Sequence, residues 1–142
     1  MALLTDEEIR RIELKIEAAE RLTAAEFKVI IARRAWFGFR KKAKRLFRKY
    51  KLDQTKDRNS VLLLILEKDR RILIYGDEGI HRKVGTAHWE TIRDTVLDNF
   101  KQGDFAEGIA LGIHLIADSL IHYFPASENQ TNEISNKLIF EK

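Results

Sequence analysis

The stretch best suited to chemistry is a short acidic run at positions 76–79, in which two glycines enclose two acids. Glycine adopts backbone angles that other residues avoid, so this run predicts a tight loop. A polar segment at positions 57–59 precedes an apolar run, and the expected strand pairing places it beside the acidic loop. Carboxylate and amide oxygens suit hard cations such as Ca²⁺ or Mg²⁺. The candidate ligands are Asp57, Asn59, Asp77 and Glu78.

These oxygens could act on a phosphate ester only with a metal present, because bare carboxylates repel phosphate oxygens. The corresponding enzyme would be a metal-dependent phosphomonoester hydrolase. The alternative is that the acids are turn and helix-cap residues in water, with Arg58 paired to one of them.

A second cluster has the spacing of a zinc site. His114, Asp118 and His122 follow one another at four-residue steps on a predicted helix. They lie nearly opposite its apolar stripe, which favours a solvent-exposed His–Asp pair or a partner surface.

Other histidines and serines offer less. His81 and His88 flank the acidic loop and are interpreted as loop or cap residues. Ser60 and Ser119 lie in no recognisable setting for a nucleophile.

The segment 33–51 contains ten Lys or Arg and no acid, so it carries a charge of +10. Because the net charge of the whole chain is +4, the other residues together carry −6. Such a segment can bind phosphate groups, and its aromatic residues Trp36, Phe37 and Phe39 could stack on bases or enter a lipid interface. This predicts an alternative function, a non-catalytic module that binds an anionic surface or a protein partner. Nucleic acid is less favoured because no nucleic-acid-reading motif is present. The anion-binding candidates are Arg40, Lys41, Lys44, Arg45 and Arg48.

The elements that must position these residues form the order αβαββαα. Thr5 and Glu8 predict a capping box for the first helix, and a strand over 26–32 follows. The basic helix begins near Phe39, and the continuous apolar run 61–66 predicts a central strand with both faces covered. The third strand and two amphipathic helices, capped by Thr86 and Asp104, complete the chain. The fold class is α/β, a three-layer α/β/α sandwich on a small mixed sheet.

Composition sets the outer limits. With 142 residues, 44% apolar, 34% charged and no cysteine, the chain is expected to be one domain over 1–125 with a polar tail over 126–142. Residues 138–140 would form an edge strand or simply dock. No signal peptide is visible, and the apolar helix 109–124 falls short of about 20 apolar residues. We therefore expect a cytoplasmic protein without a membrane span.

Eight short runs follow one another along the chain, at 26–29, 46–47, 55–62, 76–81, 88–89, 100–105 with Gly108, 122–125 and 132–134. In this order they resemble the TPM-domain family, which includes a thylakoid acid phosphatase, a photosystem II repair factor and a membrane-bound modulator of acetylcholine receptors. The resemblance implies an α/β/α sandwich, divalent-cation binding in some members, and phosphatase activity in some. This chain departs from the family where its first strand runs into Arg33-Arg34 instead of a carboxylate, and where it has no signal peptide or membrane helix.

Overall fold

The computed structural model describes residues 4–126 and 137–141, which form five α-helices, one 3₁₀ turn and a four-stranded sheet. The elements in chain order are α1 (Asp6–Leu22), β1 (Phe27–Ala32), α2 (Phe39–Lys49), the 3₁₀ turn (Leu52–Gln54), β2 (Val61–Leu66), β3 (Arg71–Gly76), α3 (Glu78–Val84), α4 (Thr86–Lys101), α5 (Phe105–Tyr123) and β4 (Ile139–Glu141).

The sheet is mixed, with the strand order β3-β2-β1-β4. β1 and β2 are parallel, with Phe27 opposite Val61, as a strand–helix–strand crossover requires. β2 and β3 are antiparallel, with Leu64 opposite Leu73. The predicted order αβαββαα is confirmed, and the structure adds α3 and β4 to it.

Two separate apolar clusters cover the two faces of the sheet. All six residues of β2 are buried, which is why its sequence shows no alternation. Val29 and Leu63 face the layer formed by α1, α3, α4 and α5, whereas Ile30 and Leu64 face α2 and the 3₁₀ turn. The predicted three-layer α/β/α sandwich is therefore confirmed.

Local start signals explain most helix boundaries. The Thr5 hydroxyl accepts a bond from the Glu8 N–H, and the Glu8 carboxylate accepts one from the Thr5 N–H, which is the predicted capping box. The prediction of a tight acidic loop over 76–79 is wrong, because Asp77 is the N-cap of α3 and the helix begins with Glu78. An Asp that accepts a backbone N–H at a helix start is a strong N-cap, so the same acids favour a helix as readily as a loop.

The C-terminal segment docks as an edge strand, which decides between the two predicted alternatives. β4 runs parallel to β1, and the Arg33 N–H donates to the Glu141 carbonyl at 3.1 Å. The Glu141 carboxylate also accepts hydrogen bonds from Lys49 Nζ, at 2.6 Å, and from the Tyr50 hydroxyl. Part of the predicted polar tail, residues 127–136, lies outside the described residues.

This contact shifts the pKa values of all three groups. Burial alone would raise the pKa of Glu141, but the hydrogen bonds from Lys49 and Tyr50 outweigh it and lower the pKa. The hydrogen bond to Glu141 raises the pKa of Lys49. Burial, together with the same carboxylate, raises the pKa of Tyr50.

α5 is the only helix, among the residues that the structure describes, with the length and composition to cross a membrane, and 50% of its most apolar stretch is buried inside the domain. Its Ile109, Ile113, Ile116 and Leu120 belong to the core. Core helices of soluble domains pass the same test, so the expected lack of a membrane span stays a prediction.

Candidate functional site

The two segments that carry the predicted cation ligands meet at one end of β2 and β3. The Asp77 N–H donates to the Ser60 carbonyl at 2.9 Å, and the Gly79 N–H donates to the Arg58 carbonyl at 2.7 Å. A Cβ atom at Gly79 would lie only 2.2 Å from the Asp57 carbonyl oxygen. The structure thus brings the segment 57–60 against the start of α3, as the strand pairing predicts.

Arg58 occupies the centre of this junction. Its Nε donates to Asp77 Oδ2 at 2.7 Å, and its second terminal nitrogen donates to Oδ1 at 2.9 Å. The Asp77 side chain is 7% exposed, and its Oδ1 also accepts the Glu78 N–H. The hydrogen bond and the charge of Asp77 both raise the pKa of Arg58. Both carboxylate oxygens of Asp77 are therefore already bonded within the chain.

The remaining predicted ligands do not complete a cation site around Asp77. Asn59 is 2% exposed, Asp57 is exposed, and the Glu78 carboxylate lies 3.2 Å from Arg82 and 4.0 Å from Arg58. No three Asp, Glu or His side chains within residues 4–126 and 137–141 are arranged to hold a metal ion. Because Arg58 bonds both carboxylate oxygens of Asp77, a divalent cation could bind Asp77 only if that ion pair opened. The geometry matches the alternative prediction, cap residues with Arg58 paired to one of them.

A groove of about 440 Å³ runs along β3 beside this junction, between α2 on one wall and α4 on the other. It opens to solvent. The residues that line it are Arg40, Lys44, Arg58, Leu73, Ile74, Tyr75, Gly76, Asp77, Glu78, His81, Thr86, Trp89, Glu90 and Arg93.

Trp89 is the residue of this groove that sequence reasoning missed. A tryptophan on an amphipathic helix is expected on the apolar face, and the Trp89 side chain is 5% exposed. Its indole Nε1–H, however, is buried with no acceptor among the described residues. A Cβ atom at Gly76 would lie 3.2 Å from this nitrogen, so the absence of a side chain at Gly76 leaves the indole edge uncrowded. An indole N–H usually finds a partner when buried, and the only sequence signal was the tryptophan itself on a helix next to a glycine-ended strand.

The basic helix contributes two of its predicted anion-binding residues to the groove. Arg40 and Lys44 line it, whereas Lys41, Arg45 and Arg48 are exposed residues that lie outside the lining. Neither Arg40 nor Lys44 has a carboxylate within 4.0 Å in the described part of the chain. Their positive charges are therefore not neutralised by a direct ion pair.

The backbone of β3 is available on the groove side. β3 is an edge strand of the sheet, and no described strand pairs with its outer edge. Because Asp77 bonds to Ser60 across the β2–β3 ladder, alternate residues point their N–H and C=O groups away from β2. In this register those residues are Ile72, Ile74 and Gly76, and the last two line the groove.

The histidines occupy settings that differ partly from those predicted. His88 was expected in a loop or cap, but it lies in the first turn of α4, with its Nε2 2.5 Å from the Ser119 hydroxyl. Ser119 therefore has a partner that its sequence context did not indicate. His114 and Asp118 form the exposed pair that the spacing indicated, at 3.5 Å. His81 lines the groove.

The fold and this site define a small α/β/α domain with a partly basic groove beside an open sheet edge. The chain belongs to the TPM domain family, whose model matches residues 1–119. It is similar to the BA42 protein of the psychrophilic bacterium Bizionia argentinensis, known from an NMR structure, with a TM-score of 0.90 and 32% identity over 98% of this chain and 96% of that one. It also shares its fold with the N-terminal domain of a P. gingivalis protein, with a TM-score of 0.73 and 20% identity over 87% of this chain and 80% of that one. No curated protein matches the chain.

Proposed function

We propose that this TPM domain is a non-catalytic binding module whose groove holds an anionic, extended segment of a partner protein. The observation that carries the proposal is Trp89, which lines a groove and whose buried indole Nε1–H has no acceptor among the described residues. A buried donor without a partner costs about 1–3 kcal/mol, so an acceptor supplied by a ligand would recover that cost.

The charges in the groove favour a ligand that is negative. Arg40 and Lys44 on α2 are unpaired within the described chain, and they face the groove from the wall opposite Trp89. Three acids also line the groove. Asp77 is bonded to Arg58 and Glu78 lies 3.2 Å from Arg82, which leaves Glu90 as the one groove acid without an ion pair among the described residues. The two cations could therefore offset the charge of an anionic ligand while another of its oxygens, such as a backbone carbonyl of an extended partner, accepts from the indole.

The open edge of β3 favours a polypeptide as that ligand. Ile74 and Gly76 offer outward backbone donors and acceptors along the groove, and an added strand would pair with them. Gly76 leaves room for the added strand to approach, because it has no side chain above the sheet. In an extended partner, side chains alternate between the two walls, so an acidic residue at every second position would face Arg40 and Lys44.

Two-dimensional ¹H–¹⁵N correlation NMR spectra, which report the backbone amide and indole N–H signals, test this proposal directly. The probes are inorganic phosphate and an end-blocked peptide of alternating valine and glutamate, with alternating valine and lysine as the control peptide. We expect the Trp89 indole N–H signal to move with both anionic probes, and the Ile74 and Gly76 amides to gain exchange protection only with the acidic peptide.

Matched charge variants provide the control. R40Q/K44Q should weaken binding of the acidic peptide by about fivefold per charge removed, since exposed charge contacts contribute up to about 1 kcal/mol each. K41Q/R45Q removes the same charge from the same helix outside the groove and should change binding much less. An unmoved indole signal at millimolar probe, or equal weakening in the two double variants, contradicts the proposal.

Divalent-cation binding, with phosphatase-like chemistry, is the second candidate, and the observation that favours it is the meeting of segment 57–60 with the start of α3. Titration with Ca²⁺ or Mg²⁺ should then move the amide signals of Asp57, Asn59, Asp77 and Glu78. R58Q should strengthen the effect, because it would free Asp77. Unmoved signals at millimolar cation in both proteins exclude the site. Phosphomonoester hydrolysis is tested with D77N as control, and equal activity in both proteins points to a contaminant.

A further inference from the structure

Two large aromatic side chains on the loop between β1 and α2 are exposed to solvent. Trp36 is 75% exposed and Phe37 is 88% exposed, the highest values among the large apolar residues that the structure describes. They are neighbours in the chain, and neither belongs to the two apolar clusters of the core. Single exposed apolar residues are ordinary, but an adjacent Trp-Phe pair marks a contact surface.

The loop that carries this pair is tied to α2. Lys42 Nζ donates to the Arg34 carbonyl at 2.6 Å, and the Lys42 N–H donates to the Gly38 carbonyl at 3.1 Å. Gly38 has φ +107°, a backbone conformation that residues other than glycine adopt only with strain. It is the N-cap residue of α2, so the chain enters the helix directly after it. The Arg34 guanidinium lies 4.5 Å from the centre of the Trp36 ring. These contacts hold the aromatic pair outside the core.

The surface around the loop is basic. A second groove, at the carboxyl ends of β1 and β2, is lined by Arg33, Arg34, Lys68 and Arg70, with Glu67 as its one acid. Arg40, Lys41 and Lys44 follow the loop on α2 without an acid in the first turn of that helix. An exposed Trp-Phe pair surrounded by Lys and Arg combines the two features that bind an anionic bilayer: aromatic rings that enter the headgroup region and cations that attract the lipid charge.

We propose that Trp36 and Phe37, with the basic residues around them, dock this domain on the surface of a bilayer rich in anionic phospholipid. The aromatic rings insert at the headgroup level, where the Trp indole N–H stays hydrated and the ring contacts acyl chains. Arg33, Arg34 and Arg70 then face the lipid phosphates. This surface shares Arg40 and Lys44 with the groove along β3, but that groove contains neither aromatic residue, so variants of Trp36 and Phe37 separate the two proposals.

Co-sedimentation with vesicles tests the inference. The probe is a vesicle of phosphatidylcholine and phosphatidylglycerol in equal amounts, compared with pure phosphatidylcholine, across a range of salt concentrations. We expect binding to the anionic vesicles that weakens with salt, and at least about a tenfold lower partition coefficient for W36A/F37A, since each ring loses much of its transfer free energy.

The matched control is L14A/L22A, which removes two other exposed apolar side chains, 46% and 58% exposed, from α1. This double variant should bind vesicles like the wild type. Equal binding of W36A/F37A and the wild type, equal loss in both double variants, or equal binding to neutral vesicles overturns the inference. Because Arg40 and Lys44 border both surfaces, W36A/F37A is the variant that separates the two proposals. It should lose vesicle binding and bind the acidic peptide like the wild type.

Discussion

Replacing Gly79 by alanine probes the contact on which the whole site depends. The new Cβ would lie 2.2 Å from the Asp57 carbonyl oxygen, 2.5 Å from the Arg58 carbonyl oxygen and 2.9 Å from the Arg58 carbonyl carbon. All three atoms belong to backbone, so no side chain can rotate away to relieve the overlap. The segment 57–58 or the start of α3 must move instead.

The expected cost follows from three terms. Overpacking against an unyielding neighbour costs about 3 kcal/mol, at the upper end of its usual range. Moving the segment weakens the Gly79 N–H bond to the Arg58 carbonyl, now 2.7 Å, by about 1 kcal/mol. Alanine returns at most about 1 kcal/mol of helix propensity, because Gly79 is helical. We therefore expect a loss of about 3 kcal/mol in the free energy of unfolding.

Urea unfolding followed by circular dichroism measures this loss, as a midpoint lowered by about 1.5 M for a slope of about 2 kcal/mol/M. The matched control is Gly112→Ala in α5, where the new Cβ would meet Val96 Cγ2 at 3.2 Å and Leu63 Cδ2 at 3.5 Å. There the propensity gain offsets mild crowding, and the net change should stay within about 1 kcal/mol. If G79A is as stable as G112A, segment 57–58 does not contact the start of α3, and the site as described here is wrong.

Three further predictions address the acidic cap, the edge strand and the groove. Asp77→Ala should lower the free energy of unfolding by about 1–2 kcal/mol through loss of the α3 cap, while Asp77→Asn should recover part of it; urea midpoints of both variants measure this. Because the pKa of Glu141 is lowered in the folded chain, its contribution is complete above the ordinary value of 4.5 and is lost as the pH falls through the folded value. The amide signals of Ile139 should report release of β4 in that window, and E141Q should remove the pH dependence. Gly76→Ala should lower affinity for the acidic peptide, since the new Cβ would lie 3.2 Å from Trp89 Nε1 and crowd the indole edge; isothermal titration measures the affinity. The Cβ would also lie 3.1 Å from Ile80 Cγ2, so we expect a loss of about 1 kcal/mol in the free energy of unfolding.

Most of the fold could be predicted from the sequence, because the burial of each strand and helix determines the pattern of apolar residues along it. The unbroken apolar run 61–66 could only belong to a strand covered on both faces, and the structure buries all six residues. The capping box of α1 is a local signal, and local signals need no tertiary context. α3 was not predicted, because an Asp-Glu pair between two glycines is compatible with a loop and with a helix N-cap.

The candidate site was predicted only in part. Strand pairing correctly brought 57–59 beside Asp77, since register follows from the hairpin. It could not show that Arg58 would take both oxygens of Asp77, because that depends on the left-handed backbone of Arg58, with φ +50°. Nor could it show that the Trp89 indole lacks an acceptor, because the helical stripe assigns the ring to the core but says nothing about its N–H.

The sequence by itself determined the layers, the strand pairing, the family and the segregation of positive charge into one segment, because these follow from the periodicity of apolar residues and from composition. Only the tertiary structure decided which basic residues share a groove, which strand edge stays open and which carboxylate is already occupied. Those outcomes depend on side-chain directions across elements far apart in the chain, and pairwise distances between such side chains leave no periodic signal in the sequence.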